Sequence, residues 1–167
     1  MIRSIIQFFS FILVIMTLAC SGESHDFEAE NLIYEDIVSD STENKINTDK
    51  MILKIGDTTL TATLADNSSA KALVKELTNG SITIEMRDYG NMEKVGSLGK
   101  NYPTNDESIT TEPGDIILYQ GNALVIYYAP NSWSFTRLGK IDNITKQELI
   151  QVLGKGDVNV TLSLPQE

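Results

Sequence analysis

Hydrophobic and polar residues follow three successive patterns along this chain. Residues 1–20 are largely apolar, residues 21–50 are mostly polar and acidic, and from Met51 short apolar stretches alternate with turn-forming residues. In this last region apolar residues recur either every two residues, which is typical of strands, or every three to four residues, which is typical of helices. The pattern predicts one folded domain over residues 51–164, followed by a tail at 165–167.

The first half of this domain is predicted to contain three strands and one helix. Strands 51–55 and 58–64 are separated by Gly56 and Asp57, and the second alternates apolar residues with threonine. Alternation returns over residues 81–88, which form the third strand. Between them lies an apolar face at helical spacing, formed by Ala70, Leu73, Val74 and Leu77.

The second half begins with a long irregular stretch, residues 89–113, in which a short strand is expected near Val95–Leu98. Three strands follow at 116–120, 123–128 and 133–138. Thr145 and Glu148 form a capping box that opens a second helix, with Leu149, Ile150 and Leu153 as its apolar stripe. A last strand ends at Leu164. Short strands with only two helices predict a mainly β fold, a small closed antiparallel barrel.

The apolar segment at residues 1–19 is typical of an export signal. It has a basic start at Arg3 and is shorter than the roughly 20 apolar residues that span a membrane. It ends in Thr-Leu-Ala-Cys, which resembles a lipobox, although Thr17 departs from the preferred leucine. We therefore expect cleavage before Cys20, the only cysteine, and lipid attachment to it. A cleaved signal with a chance cysteine and an uncleaved anchor are the alternatives.

Acidic residues are concentrated in the segment between Cys20 and the domain. Residues 21–50 hold nine acidic residues and two lysines, out of a net charge of -10 for the chain. This composition predicts a flexible tether over residues 20–50. The negative charge disfavours nucleic-acid binding, which needs clustered lysine and arginine. The expected location is outside the cytoplasm, at an outer membrane or cell surface rather than an inner membrane.

Four blocks in the domain resemble the bacterial cyclophilin-like domain family. They are Ile55-Gly56 with Thr61–Asn67, then 114–119 (GDIILY), 135–142 (FTRLGKID) and 153–158 (LGKGDV), in that order. The resemblance covers about residues 51–164. It implies a compact relative of cyclophilin, an eight-stranded barrel with two helices, in a family without an established common activity.

True cyclophilins isomerise X-Pro bonds, whose barrier is about 20 kcal/mol. They use an arginine after Phe-His, on the strand following the first helix, and then Gln-Gly-Gly. Here Arg87 lies in about that place, but Phe-His and Gln-Gly-Gly are missing. The resemblance therefore transfers no catalytic residue.

Candidate ligand-binding residues come from the two arginines after Cys20 and from the aromatic residues. A guanidinium suits recognition of an anion or a carbonyl, and aromatic side chains can line a groove for a peptide or glycan. Salt bridges for the arginines and ordinary barrel packing for the aromatics are the alternative interpretations. The candidates are Arg87, Tyr89, Tyr119, Tyr128, Trp133 and Arg137.

Signatures of enzymes and cofactor sites are scarce. The domain has no histidine or cysteine, and no carboxylate group has the spacing of a metal-binding loop. We expect no cofactor and no metal. The sequence favours a membrane-tethered module that binds a peptide, protein or glycan without catalysis, with a divergent prolyl isomerase as the alternative.

Overall fold

A computed structural model describes residues 49–166, which form nine strands and two helices. The predicted signal segment, Cys20 and most of the acidic tether lie outside these residues. Within residues 49–166, no helix is long and apolar enough to cross a membrane. The elements are β1 (Lys50–Ile55), β2 (Thr58–Leu64), α1 (Ser68–Leu77), β3 (Ile82–Tyr89), β4 (Glu93–Ser97), β5 (Glu107–Thr110), β6 (Asp115–Tyr119), β7 (Ala123–Tyr127), β8 (Ser132–Ile141), α2 (Lys146–Leu153) and β9 (Val158–Ser163).

Eight strands close into an antiparallel barrel in the order β2-β1-β9-β3-β4-β7-β6-β8, and β8 returns to β2. The closing pairs run from Ala62–Ile141 to Leu64–Gly139. The ninth strand, β5, pairs with residues 132–135 at the start of β8, beyond the part of β8 that pairs with β6. The predicted closed β-barrel with two helices is therefore confirmed.

Both helices pack buried leucines against the barrel interior. In α1 the side chain of Asn67 accepts a hydrogen bond from the Ala70 N–H at 2.9 Å and caps the helix. In α2 the capping box of Thr145 and Glu148 is present as predicted. Ile150, predicted to be buried, is exposed. The buried helical leucines in the interior cluster are Leu73, Leu77, Leu149 and Leu153.

The stretch predicted to be irregular contains two strands: β4, which overlaps the short strand expected near Val95–Leu98, and β5, which was not predicted. The alternation of apolar and polar residues expected of a strand is not visible at the start of β4, because its first two residues, Glu93 and Lys94, are charged although both are buried. Gly96 is required where β4 crosses β3. A Cβ there would lie 2.5 Å from Ile84 Cγ2 and 2.6 Å from the Glu85 carbonyl oxygen.

Candidate functional site

A second apolar cluster lies on the outer face of the barrel wall. Along β6 and β7, Ile116, Leu118, Leu124 and Ile126 point into the barrel, while the residues between them point outward. Tyr127 and Phe135 stack with tilted rings, their centroids 5.6 Å apart. An apolar patch on the outer face of a small barrel can serve as the base of a binding site. The cluster consists of Ile117, Val125, Tyr127 and Phe135, packed against Met92, Val95 and Ile109.

A groove of about 490 Å³ opens over this cluster, and we call it the aromatic groove. Two of its aromatic side chains, Tyr89 and Trp133, are each 66% exposed, and Tyr119 is 39% exposed. Such exposed aromatic residues around an apolar base are typical of a ligand-binding surface. The lining residues are Arg87, Tyr89, Met92, Glu93, Val95, Tyr119, Tyr127, Asn131, Trp133 and Phe135.

A tight turn between β3 and β4 positions one side of the aromatic groove. Gly90 and Asn91 both have positive φ angles, of 60° and 54°, and the Met92 N–H donates to the Tyr89 carbonyl at 3.2 Å. This is the geometry of the two-residue turns that match strand twist. The turn therefore places Tyr89 and Met92 at the edge of the groove.

Arg87 lies between the aromatic groove and a second, polar cavity of about 450 Å³. The side chain is exposed and makes no ion pair with the residues that the structure describes. Glu85 and Asp157 line the polar cavity, which shares Arg87 and Val95 with the aromatic groove. The five donors of the guanidinium are therefore available to a ligand lying in either cavity.

Glu93 supplies a carboxylate to the wall of the aromatic groove, although the residue is only 8% exposed. Burial raises the pKa of the Glu93 carboxyl, and the Tyr127 hydroxyl partly counteracts this change. Burial and Glu93 together raise the pKa of the Tyr127 hydroxyl. The amide of Asn131 donates to that hydroxyl at 3.2 Å. These contacts fix a polar corner within an otherwise apolar groove.

Tyr128 lies on the opposite face of the wall from Tyr127, and it does not line the aromatic groove. Its hydroxyl donates to Asp88 at 3.2 Å. Asp88 in turn pairs with Lys94, whose Nζ lies 2.9 Å from Asp88 Oδ1. Lys94 also donates to the carbonyl oxygens of Gly154 and Gly156, at 3.1 and 2.5 Å. Tyr128 thus belongs to a polar network that holds the loop after α2.

Arg137, the other predicted arginine, also lies outside the aromatic groove. Its Nη2 donates to Oδ2 of Asp115 at 3.1 Å, and the Asp115 side chain is almost fully buried. Asp115 also accepts a hydrogen bond from the backbone N–H of Glu112 at 2.8 Å. Arg137 therefore forms a salt bridge, as the alternative interpretation of the arginines expected.

The structure brings four of the six predicted binding residues together: Arg87, Tyr89, Tyr119 and Trp133. Sequence reasoning missed Glu93, which no motif distinguished from an ordinary loop residue. It grouped Tyr127 and Phe135 with the other aromatics without assigning them to the site. Within residues 49–166, no group of three or more His, Cys, Asp or Glu residues is placed to hold a metal ion.

Comparisons with known proteins agree with this architecture. The solution structure of the hypothetical protein AF2241 from Archaeoglobus fulgidus superposes with a TM-score of 0.52 at 12% identity, covering 70% of this chain and 94% of that one. The structure of McbB in complex with tryptophan gives 0.50 at 14% identity, covering 70% of this chain and 45% of McbB. These similarities concern the fold alone.

No curated protein matches the chain. The profile of the Cyclophilin-like family matches residues 53–163, which include all of the barrel strands except the first three residues of β1. The match covers both the aromatic groove and the polar cavity beside it. The chain therefore belongs to the cyclophilin-like family.

Proposed function

We propose that the aromatic groove binds an extended peptide segment. The observation that carries this proposal is the position of Arg87, an exposed guanidinium that has no ion pair within residues 49–166 and lies beside an apolar concavity. A guanidinium in this position can donate to a peptide carbonyl while the aromatic rings accommodate apolar side chains, including a proline ring. The groove volume of about 490 Å³ suits two or three residues of such a segment.

Trp133 provides a direct test, because it is the only tryptophan in the chain and lies at the groove. The peptide acetyl-Ala-Phe-Pro-Phe-amide, which contains no tryptophan, should change the Trp133 fluorescence in a saturable way. Arg87→Ala should weaken this binding by about tenfold or more. Arg137→Ala is the matched control, since Arg137 is outside the groove. A fluorescence change that is absent, or equal in Arg87→Ala, would contradict the proposal.

A second candidate function is prolyl isomerisation, favoured by the same position of Arg87. A guanidinium that hydrogen-bonds the prolyl nitrogen stabilises the twisted amide as conjugation is lost, which lowers the barrier of about 20 kcal/mol. Isomerisation of succinyl-Ala-Phe-Pro-Phe-p-nitroanilide should then accelerate with wild type and Arg137→Ala but not with Arg87→Ala. Binding without acceleration would leave only the peptide-binding function.

We also propose that the protein is exported and held to a membrane by lipid on Cys20. This proposal is supported by the N-terminal sequence, the small residue Ala19 before Cys20, and the acidic segment after it. Mass spectrometry of the membrane fraction should find a diacylglycerol-modified Cys20 at the N-terminus. An unmodified Cys20 in that fraction would contradict this part of the proposal.

A further inference from the structure

Glu93 is a buried carboxylate that has no cationic partner among the residues that the structure describes. The neighbouring Lys94 cannot serve as one, because its side chain points to the other face of β4 and is bound by Asp88 and two carbonyls. Arg87 makes no ion pair with it. Buried carboxylates are usually paired, because desolvation penalises the charged form. Glu93 therefore has the Tyr127 hydroxyl as a hydrogen-bonding neighbour but no counter-charge among residues 49–166.

The charges around the two cavities favour a cation from outside. Their lining residues include three carboxylates, Glu85, Glu93 and Asp157, against one basic residue, Arg87. The domain itself, residues 51–164, has thirteen acidic and ten basic residues, so it is also net negative. A cleft with an excess of one sign attracts ligands of the opposite sign and raises their local concentration.

Aromatic side chains around Glu93 suit the same type of ligand. Glu93 is the register partner of Tyr89, and Tyr119 and Trp133 line the same groove. The faces of tyrosine and tryptophan rings attract ammonium and guanidinium groups, and they also pack against the alkyl stems of lysine and arginine. A carboxylate beside such rings can therefore hold a long cationic side chain along its whole length.

We propose that the aromatic groove selects a peptide carrying a lysine or arginine side chain, with Glu93 as the residue that determines this specificity. The inference rests on the proposed peptide-binding function. In the complex the cationic head group lies at Glu93 and the stem packs on the aromatic rings. Arg87, at the boundary with the polar cavity, is left to hold the peptide backbone.

Three matched peptides test this inference: acetyl-Lys-Ala-Phe-Pro-Ala-Lys-amide and the same peptide with norleucine or glutamate in place of both lysines. Norleucine keeps the alkyl stem and lacks the charge. Trp133 fluorescence reports affinity for the full-length protein, for Glu93→Gln, and for Glu107→Gln, a control at an exposed position outside the groove lining. Circular dichroism verifies that each variant is folded.

Wild type and Glu107→Gln should bind the lysine peptide at least about tenfold more tightly than the norleucine peptide, and the glutamate peptide most weakly. In Glu93→Gln the preference for lysine should fall to about twofold or less. Equal binding of lysine and norleucine peptides by wild type, or an unchanged preference in Glu93→Gln, would overturn this inference and leave the proposed function standing. Binding of none of the three peptides would overturn both.

Discussion

Lys94 and Asp88 form an ion pair between register partners on neighbouring strands, with Nζ and Oδ1 2.9 Å apart. The lysine side chain is 0% exposed, whereas the aspartate retains some contact with solvent. The same ammonium binds the carbonyl oxygens of Gly154 and Gly156, so one side chain joins β3, β4 and the loop between α2 and β9. The pair therefore has a structural role. The sequence pattern did not indicate this role, because charged residues are expected at the surface.

Asp88→Asn should lower the free energy of unfolding by about 3 kcal/mol, because it leaves the Lys94 ammonium buried without a counter-charge. Adding Lys94→Met should recover part of this loss, which a double-mutant cycle in urea would measure as coupling. The exposed turn substitution Asp57→Asn is the control and should have little effect. If Asp88→Asn unfolded at the same urea concentration as wild type, the ion pair would not contribute to stability.

The contribution of Asp88 should also depend on pH. The hydrogen bond from Lys94 is the main reason that the pKa of the Asp88 carboxyl lies below its ordinary value of 3.8. An acid with a lowered folded-state pKa stabilises the fold above its unfolded pKa and loses that effect as the pH falls through the lowered value. The stability difference between wild type and Asp88→Asn should therefore narrow below pH 3.8, as measured by thermal unfolding.

Glu93→Gln should stabilise the free protein at neutral pH, because burial disfavours the charged form of the Glu93 carboxyl. Burial raises the pKa of the Glu93 carboxyl in the folded state. The protonated carboxyl therefore contributes its full stabilisation of the fold below pH 4.5, its ordinary pKa, and this stabilisation is lost as the pH rises through the raised pKa. The titratable and charged groups that share its groove are Arg87 and Tyr89 from β3, Tyr119 from β6 and Tyr127 from β7.

Thermal unfolding between pH 4 and pH 8 measures this effect. The melting temperature of wild type should fall relative to that of Glu93→Gln as the pH rises, whereas Glu107→Gln should follow wild type. If the difference in melting temperature between wild type and Glu93→Gln stayed constant across this pH range, the buried carboxylate would not be destabilising the fold.

Gly139→Ala should destabilise the barrel by about 2 kcal/mol or more. Gly139 lies at the seam where β8 meets β2, and a Cβ there would be 2.5 Å from the Thr63 carbonyl oxygen and 3.2 Å from Leu64 Cα. Backbone atoms cannot move away without weakening the closing strand pair. Chemical unfolding measures the loss, with the exposed Ser134→Ala on the same strand as control. Equal stability of the two variants would contradict the tight contact.

Arg137→Ala should reduce stability by about 1–3 kcal/mol while leaving peptide affinity unchanged. Removal of its guanidinium takes a hydrogen bond from the buried Asp115 carboxylate. Arg87→Ala should show the reverse, with unchanged stability and weaker binding, because Arg87 has no ion pair among residues 49–166. Parallel urea unfolding and Trp133 titration compare the two. A loss of affinity in Arg137→Ala would place Arg137 in the binding surface after all.

The strands with clear alternation and the two capped helices could be predicted because local sequence and tertiary burial agree in them. Thr145 and Glu148 form the expected capping box, and Leu73 and Leu77 are buried on the expected face of α1. Only the second half of β4 matched the strand expected near Val95–Leu98, because its start contains Lys94, which is buried where an apolar residue would be expected. Its burial depends on carbonyl groups about sixty residues away, which local patterns do not reveal.

The candidate site could also be predicted only in part, because the local sequence does not show which face or which partner a side chain has in the fold. Tyr127 and Tyr128 point to opposite faces, and the sequence does not show which face is outside when both are apolar. The structure places Tyr127 in the aromatic groove and Tyr128 in the network with Asp88. Arg87 and Arg137 looked equivalent, and only the buried carboxylate of Asp115 distinguishes them.

The position of β9 determines when the barrel can form during synthesis. This strand, the last in sequence among residues 49–166, lies between β1 and β3, and it pairs with both. Until residues 158–163 have left the ribosome, β1 and β3 have no neighbour at that seam and the barrel stays open. The barrel therefore closes only after β9 has left the ribosome.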